Sequence, residues 1–152
     1  MTDQPPQAPG PAFVLRTQYV KDLSFENPQA PEIYRTLRQA PEVTVNLDVT
    51  TRPLPEKDDY EILLNIHADA KSEGKTVFVV ELTFGAVFHI SGVPEESLQP
   101  VLMIEIPRLV FPFARNVVAD VTRESGFPPL MIHPIDFVAL YRQKFEQPAG
   151  QA

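Results

Sequence analysis

The side chains best suited to catalysis or metal binding are few and widely spaced in this chain. Its three histidines, His67, His89 and His133, share no spacing typical of metal ligands. His67 and His89 fall on neighbouring predicted strands, where an ordinary solvated or hydrogen-bonded pair is the stronger interpretation. The acids Asp58 and Asp59 lie in a predicted turn, where solvated carboxylates are common. No nucleophile elbow, phosphate loop or dinucleotide fingerprint is present, so the sequence predicts no enzyme, no metal site and no cofactor.

Aromatic residues are more prominent than catalytic ones. The chain has 10 Phe, 4 Tyr and no Trp, and several of the Phe stand beside prolines, as in LVFPFAR. Composition alone favours a place in the core for most of them. The alternative is a groove between helix and loop, walled by aromatic rings and able to accept apolar side chains of many shapes.

The segment YVKDLSFENPQAPEIY, residues 19–34, mixes acids, apolar residues and two prolines. Asp22 and Glu26 bracket Leu23 and Phe25, and the prolines oppose a helix. The segment is therefore expected to leave its strand and form a loop. Leu23 and Phe25 would hold that loop to the body, while the acids face solvent. Such a loop could serve as a lid, a hinge or a docking surface.

Alternation of apolar and polar residues predicts four strands. Their sequences are FVLRTQYV (13–20), VTVNLDVT (43–50), YEILLNIHADA (60–70) and TVFVVELTFGAVFHISG (76–92). The residues KSEGK join the last two strands as a hairpin. The last strand is apolar on both faces. Helices can cover one face, and a second subunit is expected to cover the other.

The second half of the chain changes to helical spacing. Four prolines between residues 93 and 112 predict that any helix there is broken or kinked. Apolar residues predict a helix over 113–125, followed by a last helix that starts near Pro134 with Asp136 in its first turn. The expected fold is α+β, with a four-stranded antiparallel meander followed by two helices.

Length and composition predict one globular domain. The chain has 152 residues, 43% of them hydrophobic and 22% charged. Residues 13–145 would form the domain, between a disordered Pro-rich extension (1–12) and a flexible tail (146–152). The net charge of −7 argues against a nucleic-acid partner and favours a basic one. The absence of cysteine and of any membrane-spanning apolar run fits a soluble, cytoplasmic protein without membrane insertion.

Four motifs resemble the SecB family of bacterial export chaperones, over about residues 13–145. They are YVKDLSFENPQAP, GAVFHISG, IPRLVFPFARNVV and GFPPLMIHPIDFVALY, in the family's order and at similar spacing. The proline-rich start fits an alphaproteobacterial member. The resemblance implies a homotetramer, built as a dimer of dimers with helices packed between the dimers. It also implies ATP-independent binding of unfolded precursor proteins in long grooves, and delivery to SecA, the motor of the Sec translocase.

By position, the resemblance assigns three groups of site residues. The expected SecA contacts are Asp22, Glu26 and Glu81, with Val79 as an apolar neighbour. The expected walls of the client groove are Phe78, Phe111, Phe113, Phe137, Leu140 and Tyr141. The strand face expected between subunits carries Val80, Leu82 and Phe84.

Two other functions remain open on the sequence. A small-ligand-binding or catalytic α+β domain would need convergent polar groups in an aromatic cleft, and none is identified. A SecB-like chaperone of a toxin–antitoxin system would share the groove without needing Asp22, Glu26 and Glu81, so their presence favours export. The chain departs from the family in having Ala86 where a second glycine is expected after Gly85.

Overall fold

The computed structural model describes residues 10–145, in which helices pack on one face of a four-stranded antiparallel sheet. The strands are β1 (Ala12–Glu26), β2 (Glu42–Pro53), β3 (Asp59–Ser72) and β4 (Lys75–Ser91). The helices are α1 (Ile33–Thr36), α2 (Glu95–Pro100), α3 (Ile106–Glu124) and α4 (Phe137–Phe145), with a π-helical segment (Val101–Glu105) between α2 and α3. The predicted α+β class is confirmed. The predicted tail, and residues 1–9 of the predicted extension, lie outside the described residues.

The strands lie in the order β1-β4-β3-β2. A meander therefore describes β2, β3 and β4 only. The chain leaves β1 through a crossover segment, residues 27–41, and β1 pairs with β4 instead of β2. The predicted meander is wrong for β1, because the long apolar β4 takes a central place and needs a neighbour on both sides.

The first strand is longer than its sequence predicts. It runs to Glu26, so Asp22 and Glu26 lie on a regular strand and not on a loop. Its pairing with β4 shifts register between Leu15 and Thr17 and again between Val20 and Asp22. Each such irregularity breaks the two-residue alternation that marks a strand. The loop begins only after Glu26.

The core lies between the sheet and the helices. Alternate residues of β3 and β4 are buried there, as the alternation predicts. The side chains of Val80, Leu82 and Phe84 are 0%, 2% and 5% exposed within the single chain. They face the helices within this chain, and their assignment to a subunit interface stays a prediction. The free face of the sheet is the opposite one.

Prolines change the helix type in the second half of the chain without ending the helix. α2, the π-helical segment and α3 follow one another directly, so the predicted helix begins well before residue 113. The π-helical segment follows Pro100, and Pro112 lies inside α3. Burial of Leu102, Ile106 and neighbouring residues compensates for the hydrogen bonds that proline cannot make.

The last helix begins at Phe137, three residues after the predicted start. The carboxylate of Asp136 accepts a hydrogen bond of 3.0 Å from the backbone N–H of Ala139. Asp136 therefore caps the helix and does not belong to its first turn. Within residues 10–145, no helix is both long and apolar enough to cross a lipid bilayer.

Gly85 lies directly beneath the ring of Tyr19. A Cβ atom at this position would be 2.5 Å from Tyr19 Cε2, closer than real carbon contacts come. The neighbouring Ala86 is fully buried among the core residues on the other face, where a methyl group fits. Of the two glycines expected at these positions, only Gly85 is therefore required by packing.

We expect Gly85→Ala to lower the free energy of unfolding by about 2 kcal/mol, because the added methyl group must displace the Tyr19 ring. Urea unfolding at a fixed protein concentration measures the change. Gly10→Ala is the matched control, since a Cβ there meets nothing within 4 Å, and its effect should stay within about 0.5 kcal/mol. A Gly85→Ala variant as stable as the Gly10→Ala variant would contradict the close packing of Tyr19.

Candidate functional site

The sheet face opposite the helices, here called the open face, brings the four residues predicted for docking together. Glu26 on β1 lies directly opposite Val79 on β4. Asp22 and Glu26 are the two diagonal neighbours of Glu81 across the same strand pair. Diagonal partners on one sheet face are about 7–8 Å apart. The three acids are exposed, and Val79 is half-buried between them.

Further carboxylates continue this surface across β3 and β2. The acidic patch is defined by Asp22, Glu26, Asp48, Asp69 and Glu81. Part of it forms a shallow depression of about 350 Å³. Like charges on adjacent strands repel one another and lower stability, so the arrangement is better suited to binding than to folding. Such a surface attracts positively charged segments of other chains.

Two side chains contact carboxylates of the acidic patch. Lys144, near the end of α4, places Nζ 3.1 Å from the carboxylate of Asp48. His67 on β3 places Nδ1 3.1 Å from Oε1 of Glu81, its direct partner on β4. The remaining acids have no cation bonded to them in the described part of the chain.

A different arrangement occupies the other end of the open face, where Glu61 on β3 is only 5% exposed. The Tyr19 hydroxyl and the Arg52 Nε donate hydrogen bonds to its carboxylate, the latter at 2.7 Å. Lys21 adds a third donor at 3.3 Å. These three side chains cover the carboxylate of Glu61. The exposed Arg52 and Lys21 make this end of the face less acidic than the patch.

The hydrogen bonds in this network fix its protonation. The Tyr19 hydrogen bond, with further contributions from Arg52 and Lys21, lowers the pKa of Glu61 to about 2 against the effect of burial. Burial, reinforced by the carboxylate of Glu61, raises the pKa of Tyr19 to about 12. At neutral pH the carboxylate is therefore ionised and the phenol protonated. The network links β1, β2 and β3 through side chains.

The six residues predicted as groove walls do not line one groove. Phe78 packs against Phe25 and Phe127, with ring centroids 5.7 and 5.2 Å away. Phe111 packs against Phe137 at 5.9 Å, in a separate part of the core. Phe78, Phe111 and Phe137 are 3%, 5% and 2% exposed. Other side chains pack around these three residues within the chain, and their assignment to the client groove stays a prediction.

The other three predicted groove residues lie nearer the surface but apart from one another. Phe113 is exposed on α3. Leu140 and Tyr141 are half-buried on α4, where the Tyr141 hydroxyl donates a 3.3 Å hydrogen bond to Gln99. None of the three lines the apolar groove that the structure contains.

That groove, here called the β2 groove, runs between strand β2 and an extended segment, residues 130–135. Its volume is about 400 Å³. On the strand side it is lined by Val43, Val45 and Leu47, which are half-buried. On the other side Met131 is 54% exposed. The walls are almost wholly aliphatic, so the groove suits apolar side chains without selecting one shape.

Along the β2 groove, the outward backbone groups of β2 have no backbone partner among residues 10–145. β2 is an outer strand of the sheet. At its end the N–H of Leu54 bonds to Asp59 across the hairpin, so even-numbered residues of β2 turn toward β3 and odd-numbered ones toward the free edge. The carbonyl of Val49 confirms this direction, because it accepts a 2.8 Å hydrogen bond from Lys144. Val43, Val45 and Leu47 thus present apolar side chains to the groove and unpaired backbone groups beside it.

Two features of the sequence contain a signal for the β2 groove. The strict alternation of β2 gives a row of aliphatic side chains, and the proline-bounded link FPPLMIHP is extended and apolar. Neither shows which strand lies at the edge of the sheet. Only the strand order places the two features side by side.

Comparison with known proteins identifies relatives over most of the chain. The family model described as preprotein translocase subunit SecB matches residues 6–148. The protein-export protein SecB of Granulibacter bethesdensis is 52% identical over 149 residues, covering 93% of this chain and 86% of that protein. The protein-export protein SecB of Bartonella quintana is 46% identical over 134 residues, covering 88% of this chain and 84% of the relative.

A solved structure shares the fold. It is a SecB-like chaperone of Mycobacterium tuberculosis, in complex with a ChAD peptide from the HigA1 antitoxin. The TM-score is 0.67 at 16% identity, over 81% of this chain and 90% of the other. The fold, the family match and the identity to the protein-export proteins agree. The chain belongs to the SecB family of protein-export chaperones.

Proposed function

We propose that this chain is an ATP-independent chaperone that binds unfolded precursor proteins and delivers them to SecA. The observation that carries the proposal is the β2 groove, where aliphatic side chains lie beside an unpaired strand edge. An unfolded chain offers both the apolar side chains and the free backbone groups that match it. A folded protein hides both. The names of the curated relatives, which are protein-export proteins, support the same function.

In this proposal a client segment binds as an added strand. Its backbone pairs with the outward N–H and C=O groups of Val43, Val45 and Leu47, and alternate side chains enter the β2 groove. Each buried apolar side chain contributes roughly 25 cal/mol per Å² before ordering is subtracted. One groove therefore binds weakly and with little selectivity. Several grooves in one assembly, engaged by one long client, raise the apparent affinity by about 10²–10⁴.

SecA would bind on the acidic patch. Exposed carboxylates on a flat sheet attract a basic partner over several ångströms and raise its association rate. Val79 supplies an apolar contact between Glu26 and Glu81 on this face. The patch and the β2 groove lie on opposite faces of the sheet, so client and SecA can be bound at the same time.

A homotetramer, built as a dimer of dimers, is part of the proposal. β1 is the other outer strand, and Val14, Leu15, Val20 and Leu23 are exposed along it. Leu109 and Phe113 are exposed on α3. Apolar residues grouped in this way are typical of contacts between subunits. The assembly would act in the cytoplasm, where precursors are made.

Neither alternative function fits the structure as well. The β2 groove is open and lacks the convergent polar groups that a small-molecule pocket needs. A toxin–antitoxin role would follow from the M. tuberculosis neighbour, but at 16% identity that likeness supports only the fold. The export function would use the acidic patch to bind SecA, whereas the toxin–antitoxin function does not require this patch.

Met131→Glu is expected to impair holding of clients, because it places a charge at the mouth of the β2 groove. The wild-type protein should keep a urea-diluted precursor soluble without nucleotide, while ignoring its native form. We expect the variant to need roughly fivefold more protein for the same suppression of light scattering. Gln143→Glu on α4 is the matched control, since it adds the same charge at an exposed site outside the groove.

Light-scattering mass measured on the same samples tests the assembly. The expected mass is that of four chains, with and without a bound precursor. A monomer that binds neither the unfolded nor the native precursor would refute the proposed function. Wild-type holding that Met131→Glu leaves unchanged would place the client elsewhere than in the β2 groove.

A further inference from the structure

His67 lies within the acidic patch, with Nδ1 3.1 Å from Oε1 of Glu81. The two side chains are 42% and 60% exposed, so a docked partner can reach both. We infer that His67 is a positioning residue of the docking surface and that it couples docking of a basic partner to release of a proton. The inference rests on the proposed function, in which that partner is SecA.

Charged groups reach the surroundings of this imidazole from all four strands and from α4. They are Asp22 and Glu26 on β1, Glu42 and Asp48 on β2, Asp69 and Lys71 on β3, Glu81 on β4, and Lys144 on α4. Carboxylates predominate, and Lys144 is bonded to Asp48 and to the carbonyl of Val49.

The neutral imidazole acts on the orientation of Glu81. An ionised carboxylate only accepts hydrogen bonds, so Nδ1 carries the hydrogen and donates it to Oε1. This bond holds one oxygen of Glu81 and leaves the other directed to solvent. A carboxylate fixed in this way loses less side-chain freedom when a lysine or arginine of the partner binds it. The contribution of His67 to docking is therefore made through Glu81.

Protonation of the His67 imidazole makes docking of a basic segment less favourable. An imidazolium at the same distance neutralises Glu81, and a basic segment then meets a paired charge and an additional cation. Because linkage is reciprocal, a docked basic segment must equally disfavour the protonated imidazole. Docking should therefore release protons, and the affinity for the basic segment should rise with pH.

The test is isothermal titration calorimetry of the full chain with purified SecA at about pH 6 and about pH 8, at one ionic strength. Repeating each titration in two buffers of different ionisation enthalpy gives the number of protons released. We expect the wild type to bind roughly threefold more tightly at the higher pH. His67→Asn keeps an N–H donor near Glu81 but cannot titrate. This variant should bind SecA like the wild type at the higher pH. Its affinity should no longer differ between the two pH values.

His89→Asn is the matched control. His89 also donates toward a carboxylate, Asp59 at 2.7 Å, but at the far end of the open face. His89→Asn should keep the full pH dependence of SecA binding. It therefore also serves as a control for ionisable groups in SecA itself. His67→Ala should bind more weakly than His67→Asn at the higher pH, because it lacks the donor that positions Glu81.

Three results would overturn the inference. One is a His67→Asn variant that keeps the wild-type pH dependence and proton release. Another is a His89→Asn variant that loses them to the same extent. The third is equal binding by His67→Ala and His67→Asn at the higher pH, which would remove the positioning role. Failure of the wild type to bind SecA at either pH is a different result, since it would refute the proposed function on which the inference rests.

Discussion

Replacing Glu61 with glutamine is expected to lower the free energy of unfolding by about 2–3 kcal/mol at neutral pH. The carboxylate accepts hydrogen bonds from Tyr19, Arg52 and Lys21. A glutamine amide offers one acceptor oxygen, and its NH₂ group faces donors that it cannot satisfy. The loss is moderated because Arg52 and Lys21 can turn to solvent. Urea unfolding at a fixed protein concentration measures the difference.

Glu26→Gln is the control for this variant. It makes the same change of charge on the same sheet face, at an exposed position without a bonded cation in the described residues. Its effect should stay within about 0.5 kcal/mol. Equal stability of the two variants would show that the Glu61 network makes no net contribution to the free energy of unfolding.

The pH dependence of the Glu61 effect has a definite sign. The pKa of Glu61 is lowered in the folded chain from 4.5 to about 2, mainly by the Tyr19 hydrogen bond. A lowered pKa means that this stabilisation is complete above the unfolded value and is lost as pH falls through the folded one. The difference in unfolding free energy between wild type and Glu61→Gln should therefore narrow as the pH falls from 4.5 toward 2. A constant difference across that range would exclude the ionised carboxylate as its source.

Local patterns in the sequence predict the elements of this fold but not their pairing. Strand β2 keeps a strict alternation of apolar and polar residues, and the even-numbered apolar residues of β3 and β4 form the buried face of the sheet. The register shifts in β1 interrupt the same pattern, so the strand extends past its predicted end. The prolines within α2 and α3 are strong local signals against a helix, but burial of the apolar residues around them outweighs these signals.

The two surfaces proposed for function differ in how far the sequence predicts them. Asp22, Glu26 and Glu81 are assigned by family resemblance, and the register of β1 on β4 places them together. The groove assignments rest on the same resemblance and are mostly aromatic, and aromatic residues also fill a core, as Phe111 and Phe137 show. The β2 groove depends on which strand is outermost, a non-local property that no single segment encodes.

Reversing the charge of Glu81 by Glu81→Lys is expected to weaken SecA binding by roughly tenfold or more, while client holding stays unchanged. The lysine replaces a carboxylate at the centre of the acidic patch and repels the same basic segment that the wild type attracts. It also leaves Asp22 and Glu26 partly neutralised by their new neighbour. Association rates with SecA measured at two salt concentrations test whether the loss of affinity is electrostatic. The association rate of the wild type should fall with added salt far more than that of the variant.

Glu56→Lys, in the loop between β2 and β3, makes the same change of net charge outside the acidic patch and should alter SecA binding by no more than about twofold. An equal loss in both variants would mean that SecA responds to net charge alone. Holding of an unfolded precursor is the decisive second readout. Glu81 points to the open face, whereas Val43, Val45 and Leu47 point to the helix side at the edge of β2. A Glu81→Lys variant that still folds but loses client holding would therefore contradict the proposal that client and SecA use separate surfaces.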